Sequence, residues 1–190
     1  MQYSLAFRIW HWLNALIVFG LLGTVFLRKT FLSWRANSEI IINQLAAINI
    51  EITTVQAKVI AKAIRAGMWE WHIILGYALA FSVLYRIALF FFDSSQKKIW
   101  HELDLHKKIV KISYYTLYIV LFFMTVSGFV IYFHDVLGLS SEKAHDIKEA
   151  HEFIYNFILL FVPLHIAGVF IAENRNEKGI VSTMINGYKC

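Results

Sequence analysis

Four long apolar stretches constrain this chain of 190 residues more than any other feature. A helix needs about 20 mostly apolar residues to cross the hydrocarbon core of a bilayer, and each stretch is long enough. None alternates between polar and apolar residues, and each is too long for a strand. They cover about residues 9–27, 69–92, 109–133 and 150–172. The pattern predicts an all-α integral membrane protein, a bundle of four transmembrane helices in a single domain over residues 1–190.

The composition agrees with a membrane location and excludes several kinds of site. Apolar residues make up 58% of the chain and charged residues 16%, whereas soluble domains have about 45–50% and about 25%. The single cysteine, Cys190, excludes a disulfide framework, cysteine ligation of an iron–sulfur cluster and covalent haem attachment. The net charge of +5 is expected to serve headgroup contact and orientation rather than nucleic-acid binding.

The loop between the first two spans has a pattern of its own. Apolar residues recur there at steps of three and four, which predicts a narrow apolar stripe on a helix. The stripe consists of Ile41, Leu45, Ile48, Ile52, Val55 and Val59. We expect an amphipathic helix over about residues 38–66, capped by Ser38 and ended by Gly67. Its polar residues argue against a fifth span, so it is expected to lie on the membrane surface or against the bundle.

The basic residues divide almost evenly between the two sides, nine inside and eight outside apart from Arg86 if the N-terminus is inside, so the orientation depends on one loop. Four spans place both termini on the same side of the membrane. The loop between the second and third spans is compact and basic, and such loops favour the cytoplasm. Its cations are Lys97, Lys98, Lys107, Lys108 and Lys111. We therefore expect both termini on the cytoplasmic side.

Four histidines lie within the spans, where ionisable side chains are costly and are functional candidates. His151 and His165 are 14 residues apart in the fourth span, close to four full turns, so they face the same way about 21 Å apart. The inner end of the first span carries His11, which predicts a pair with His165. The outer end of the second span carries His72, which predicts a pair with His151.

Two imidazoles that face each other across a bundle suit the two axial sites of a haem iron. Haem b needs no covalent attachment, which agrees with the cysteine count, whereas zinc prefers four ligands around a single site. The spacing thus indicates two haem b groups with the four histidines as iron ligands. The alternative is that each histidine is a hydrogen-bonded contact between helices.

Two arginines and two glycines are further candidates for cofactor binding. Arg86 lies 14 residues after His72 and shares its helix face at the expected depth of the inner haem. An arginine at that depth requires an anion such as a haem propionate, unless it snorkels to the headgroups. Arg8 is a second candidate for a propionate. Gly76 and Gly168 would let a flat macrocycle approach the backbone, although small residues also serve helix packing.

These residues resemble a known family, the bacterial cytochromes b561. Residues 8–15 look like the opening R-x-x-H-W-x-x-A of that family. Residues 72–76, followed by Arg86, resemble its second helix. His151 and His165 match the paired histidines of its fourth helix.

Of the two remaining segments, one resembles the wider superfamily and the other does not. Residues 173–189 are similar to the amphipathic tail of the wider superfamily, which includes the cytochrome b subunits of nickel–iron hydrogenases and formate dehydrogenases. Residues 30–65 form an insertion longer than we expect in small stand-alone members, which favours a docked partner.

The resemblance implies a di-haem b protein of a bacterial inner membrane that exchanges electrons with quinone, as substrate or bound redox partner. It places a periplasmic donor, or a subunit of a respiratory complex, near the outer haem and a quinone site near the inner haem. The chain would then be an electron-transfer oxidoreductase component, and electrons could flow in either direction. Two alternatives remain open: a membrane anchor subunit with or without haem, and a small transporter with histidine proton relays. The absence of broken apolar helices argues against the transporter.

Overall fold

The computed structural model describes residues 3–92, 104–175 and 178–188. Within these ranges the chain forms six helices and no strand. The helices are α1 (Leu5–Lys29), α2 (Trp34–Ala46), α3 (Thr54–Phe92), α4 (Leu105–Tyr132), α5 (Ser141–Asn174) and α6 (Ile180–Asn186). Four of them, α1, α3, α4 and α5, are long and apolar enough to cross a membrane. The predicted all-helical class and the four spans are confirmed.

Each long helix begins before the apolar stretch that predicted it, because polar turns continue the helical hydrogen bonding outside the apolar core. α5 also runs through Pro163 without ending; apolar helices tolerate proline where other groups satisfy the freed carbonyl. Three residues named in the sequence predictions lie outside the described residues: Lys97, Lys98 and Cys190.

The helices contribute to two compact units. The larger unit comprises Met1–Asn14 and Leu79–Cys190, and the smaller unit comprises Ala15–Ala78. In the larger unit, segments of all four apolar helices meet. α4 and α5 form a hairpin there, and α6 packs against α5. The smaller unit contains the rest of α1, all of α2 and the first part of α3.

The long first loop differs from the single helix that the apolar stripe predicts. α2 ends at Ala46 and α3 begins at Thr54, so residues 47–53 interrupt the helix predicted over about 38–66. The predicted end at Gly67 is also wrong, because α3 continues through it into the second span. A glycine inside a helix costs only about 1 kcal/mol, which the flanking helical residues offset.

A specific turn produces the interruption. Asn49 adopts a left-handed conformation with φ 61°, which asparagine tolerates better than most residues. The Ile50 N–H donates to the Leu45 carbonyl oxygen at 2.9 Å, and the Asn49 N–H donates to the Ala46 carbonyl oxygen at 3.0 Å. This is the Schellman pattern that ends helices. Ser38, predicted as a cap, lies inside α2 and is buried.

Candidate functional site

The larger unit brings His11 of α1 next to His165 of α5. Their ring centroids are 6.2 Å apart, and the ring planes make an angle of 60°. An imidazole nitrogen lies about 2 Å from a metal that it ligates, so imidazoles on opposite sides of one ion have centroids roughly 6 Å apart. The juxtaposition predicted for these two side chains is present, at a spacing that fits a shared metal.

Aromatic rings hold both of these imidazoles. Phe161, one turn before His165, stacks on it with centroids 5.8 Å apart and planes within 7°. Tyr114 of α4 meets the same imidazole edge-on at 6.0 Å. Trp12 lies edge-on to His11 at 5.4 Å. These contacts fix the orientation of the pair through packing and surround it with apolar surface.

Arg86 of α3 lies among three aromatic rings of the same unit. Its guanidinium carbon is 4.6 Å from the ring centroid of Tyr118, 5.2 Å from that of Phe7 and 5.4 Å from that of Trp10. These distances lie within the cation–π range of about 6 Å. The Nη2 group donates to the Tyr118 hydroxyl at 3.3 Å.

The Nε atom of Arg86 is buried and has no hydrogen-bond partner among the described residues. Leaving a buried donor unsatisfied costs about 1–3 kcal/mol, and more for a charged group. The site therefore offers a charged donor to an anionic ligand, which fits a carboxylate such as a haem propionate.

A buried polar chain ties α1 to α3 close to Arg86. The Trp10 indole N–H donates to the Ser82 carbonyl oxygen at 2.9 Å. The Ser82 hydroxyl donates to the Asn14 Oδ1 at 2.8 Å. Because each buried polar group has a partner, this contact fixes the position of the α1 segment that carries the histidine.

Arg8, the second predicted partner of a propionate, contacts the C-terminal helix. Its Nη1 donates to the Ile185 carbonyl oxygen at 2.8 Å. A Cβ at Gly187 would lie 3.1 Å from the Arg8 guanidinium carbon, and the backbone there has φ 85°. Only glycine therefore fits comfortably beside the arginine. The Nε of Arg8 is buried without a partner in the described ranges, so one donor still suits an anion.

His72 belongs to the smaller unit. Its Nδ1 is 2.8 Å from the hydroxyl oxygen of Thr24 on α1. The Trp69 ring lies edge-on to it at 5.6 Å, and the Arg28 guanidinium carbon is 5.6 Å from the Trp69 centroid. The imidazole is thus held by a hydroxyl and an indole.

His151 belongs to the larger unit and has a similar contact. Its Nδ1 is 2.8 Å from the hydroxyl oxygen of Ser127 on α4. A Cβ at Gly128 would lie 3.6 Å from its Cε1, so the backbone of α4 passes close to the ring. The predicted pairing of His72 with His151 joins residues of different units and stays a prediction.

Sequence reasoning missed the two hydroxyl groups that contact these histidines. Serine and threonine in apolar helices commonly bond to carbonyls of their own helix, so Thr24 and Ser127 carry no distinctive spacing or charge. The only available signal is their position inside apolar spans, which they share with other hydroxyl residues.

The two glycines predicted to admit a macrocycle have open space beside them. A Cβ at Gly76 or Gly168 would meet no other described atom within 4 Å. In the described part of the chain, no three His, Cys, Asp or Glu side chains form a group that could hold a metal ion. The histidines therefore do not supply the four clustered ligands that zinc prefers.

A family model described as prokaryotic cytochrome b561 matches residues 2–187 of the chain. The matched range contains the four span histidines, Arg8 and Arg86. No curated protein and no solved structure matches the chain.

Proposed function

The chain belongs to the prokaryotic cytochrome b561 family, and from this premise we propose that it carries electrons through two haem b groups between a periplasmic-side donor and the membrane quinone pool. The family and the four apolar helices make it a multi-pass membrane electron-transfer cytochrome. We propose in addition that it holds two haems, exchanges electrons with quinone and a periplasmic-side donor, and lies in the inner membrane with cytoplasmic termini.

The observation that carries the proposal is the pair of imidazoles 6.2 Å apart in the larger unit. His11 and His165 would hold the inner haem through its iron. When bound, a haem iron takes up and releases one electron at a time. The rings of Tyr114 and Phe161 pack on His165 and keep its orientation fixed, which lowers the reorganisation that accompanies each change of charge.

Arg86 supports the same site because it supplies a half-buried positive charge beside aromatic rings. Its Nε–H would bind a propionate oxygen, and this buried donor has no other partner within the described ranges. Arg8 would hold a second propionate with its buried Nε while its Nη1 remains on the tail.

The second haem is proposed on His72 and His151. Each has its Nδ1 on a hydroxyl group, so the other ring nitrogen is the one that would meet iron. The open space beside Gly76 and Gly168 would let each macrocycle lie against a helix backbone.

The function is tested with protein purified in neutral-lipid nanodiscs. We expect two haem b per chain, reduced by added quinol and reoxidised by quinone in the same preparation. The variant His145→Ala should carry the same two haems as the wild-type protein, because this histidine on α5 is 64% exposed and its Nδ1 lies 3.7 Å from the Glu149 carboxylate. Absence of haem, or haem that neither quinol nor quinone changes, would contradict the proposal.

A further inference from the structure

Two hydroxyl groups contact the two histidines assigned above to the outer haem. Thr24 reaches the Nδ1 of His72, and Ser127 reaches the Nδ1 of His151, both at 2.8 Å. Both hydroxyl residues are buried. The other two span histidines, His11 and His165, instead pack against aromatic rings.

The position of each hydroxyl proton follows from a second contact. The Thr24 hydroxyl oxygen lies 2.6 Å from the carbonyl oxygen of Leu21, and the Ser127 hydroxyl oxygen lies 2.7 Å from that of Phe123. A carbonyl oxygen has no proton to donate, so a contact this short requires the hydroxyl proton. A hydroxyl group has only one proton, which is therefore directed at the carbonyl.

The imidazole must then be the donor in the remaining contact. Each hydroxyl oxygen accepts from an Nδ1–H, which fixes the neutral tautomer with the lone pair on Nε2. A histidine that ligates a metal commonly donates its other N–H to an acceptor, which orients the ring and makes the ligand more basic. The helix carbonyl behind each hydroxyl strengthens it as an acceptor.

We propose that Thr24 and Ser127 are positioning residues that select the ligating nitrogen of His72 and of His151. They thereby lower the midpoint potential of the haem that these two histidines hold. A more basic ligand favours the ferric state, so the acceptor lowers the potential. This inference rests on the proposed function, because it needs a haem on those two histidines.

The test replaces each hydroxyl while keeping the shape of the side chain. Thr24→Val and Ser127→Ala remove the acceptor, and Thr24→Ser and Ser127→Thr retain it. Thr30→Val and Ser113→Ala are matched controls, because their hydroxyls donate to the Phe26 and Val110 carbonyls at 2.8 and 2.7 Å and contact no histidine in the described part of the chain. Haem content, haem dissociation and redox titration of the visible bands are measured for each variant.

We expect Thr24→Val and Ser127→Ala to raise the potential of the same haem component and leave the other unchanged. Haem affinity of that component should fall about 10-fold or more, as for other partners of metal ligands. The two variants that keep a hydroxyl should restore wild-type values, and the two controls should not differ from wild type.

Failure of this inference can be told apart from failure of the proposed function. If His72→Ala and His151→Ala each remove a haem but the hydroxyl variants change neither potential nor affinity, the positioning role is wrong and the haem site stands. If the hydroxyl variants shift different haem components, the shared role is wrong. If neither histidine variant removes a haem, both proposals fail.

Discussion

At the scale of single residues, Arg86 shows how a charge within an apolar helix is accommodated. The sequence allowed two interpretations, a propionate partner or a side chain that snorkels to headgroups. In the structure its guanidinium lies among Phe7, Trp10 and Tyr118, and its Nε has no hydrogen-bond partner among the described residues. Aromatic rings attract the cation without neutralising its charge, which supports the proposal that Arg86 binds an anion.

This arrangement predicts the result of changing Arg86. Arg86→Gln removes the charge and should weaken binding of the inner haem about 10-fold or more, because a hydrogen bond to a charged group contributes about 1.5–3 kcal/mol. It should also lower the midpoint potential of that haem. Arg86→Lys keeps the charge but loses the planar donor. Its haem affinity and midpoint potential should therefore lie between those of the wild type and of Arg86→Gln.

Haem dissociation and redox titration measure both effects. Arg35→Gln is the matched control, because this exposed arginine also lies over an indole, at 4.8 Å from the Trp34 centroid. An Arg86→Gln protein with wild-type affinity and potential for both haems would show that the arginine does not face the cofactor.

Residue types differ in how easily their role can be recognised from the sequence. The span histidines and Arg86 stand out because ionisable groups are rare and costly in apolar helices. Thr24 and Ser127 do not, because a hydroxyl can satisfy itself on its own helix. Their role depends on which ring lies beside them across a helix contact, and this is a property of packing.

At the scale of elements, α6 is held at both ends by side chains of other helices. The Glu173 carboxylate accepts from the Gly179 and Val181 N–H groups at 2.9 and 3.0 Å. At the other end, Arg8 donates to the Ile185 carbonyl oxygen, and the Trp12 indole donates to the Met184 carbonyl oxygen at 3.3 Å. A helix this short is not stable alone, so these contacts maintain it.

Because the two donors on α1 flank His11, loss of α6 should loosen the inner haem. We expect truncation after residue 178 to speed dissociation of the haem on His11 and His165 several-fold, with the other haem unaffected. Glu173→Ala should have a smaller effect in the same direction. Time-resolved transfer of haem to an apo acceptor protein measures it.

Glu149→Ala is the control for that series, because its carboxylate on α5 is 71% exposed and its ion-pair contact, with His145, lies within the same helix. Equal haem retention by the truncated and full-length proteins would mean that α6 does not stabilise the position of His11. Faster loss of both haems would indicate general destabilisation.

The elements of the first loop show a limit of periodicity. An apolar stripe at steps of three and four fits one helix or two helices in succession, because the spacing carries no information about a break. The break depends on the left-handed Asn49 and its backbone hydrogen bonds. Val55 and Val59 of the stripe are exposed, whereas Ala57 and Ala61 are fully buried, since small side chains allow close helix contact.

At the scale of the whole molecule, the apolar stretches were sufficient to predict the four spans, because about 20 apolar residues have few other uses. The division into two units was not predictable, since it depends on long-range packing. Helical spacing predicted the meeting of His11 with His165. The same reasoning predicts the meeting of His72 with His151.

The most direct test measures which haem each histidine holds. Each of the four span histidines is changed to alanine, with His145→Ala as control, and haem content and low-temperature visible spectra are recorded. We predict that His11→Ala and His165→Ala lose one and the same spectral component, and that His72→Ala and His151→Ala lose the other. A His72→Ala protein that loses the component missing from His165→Ala, while His151→Ala retains it, would contradict the pairing.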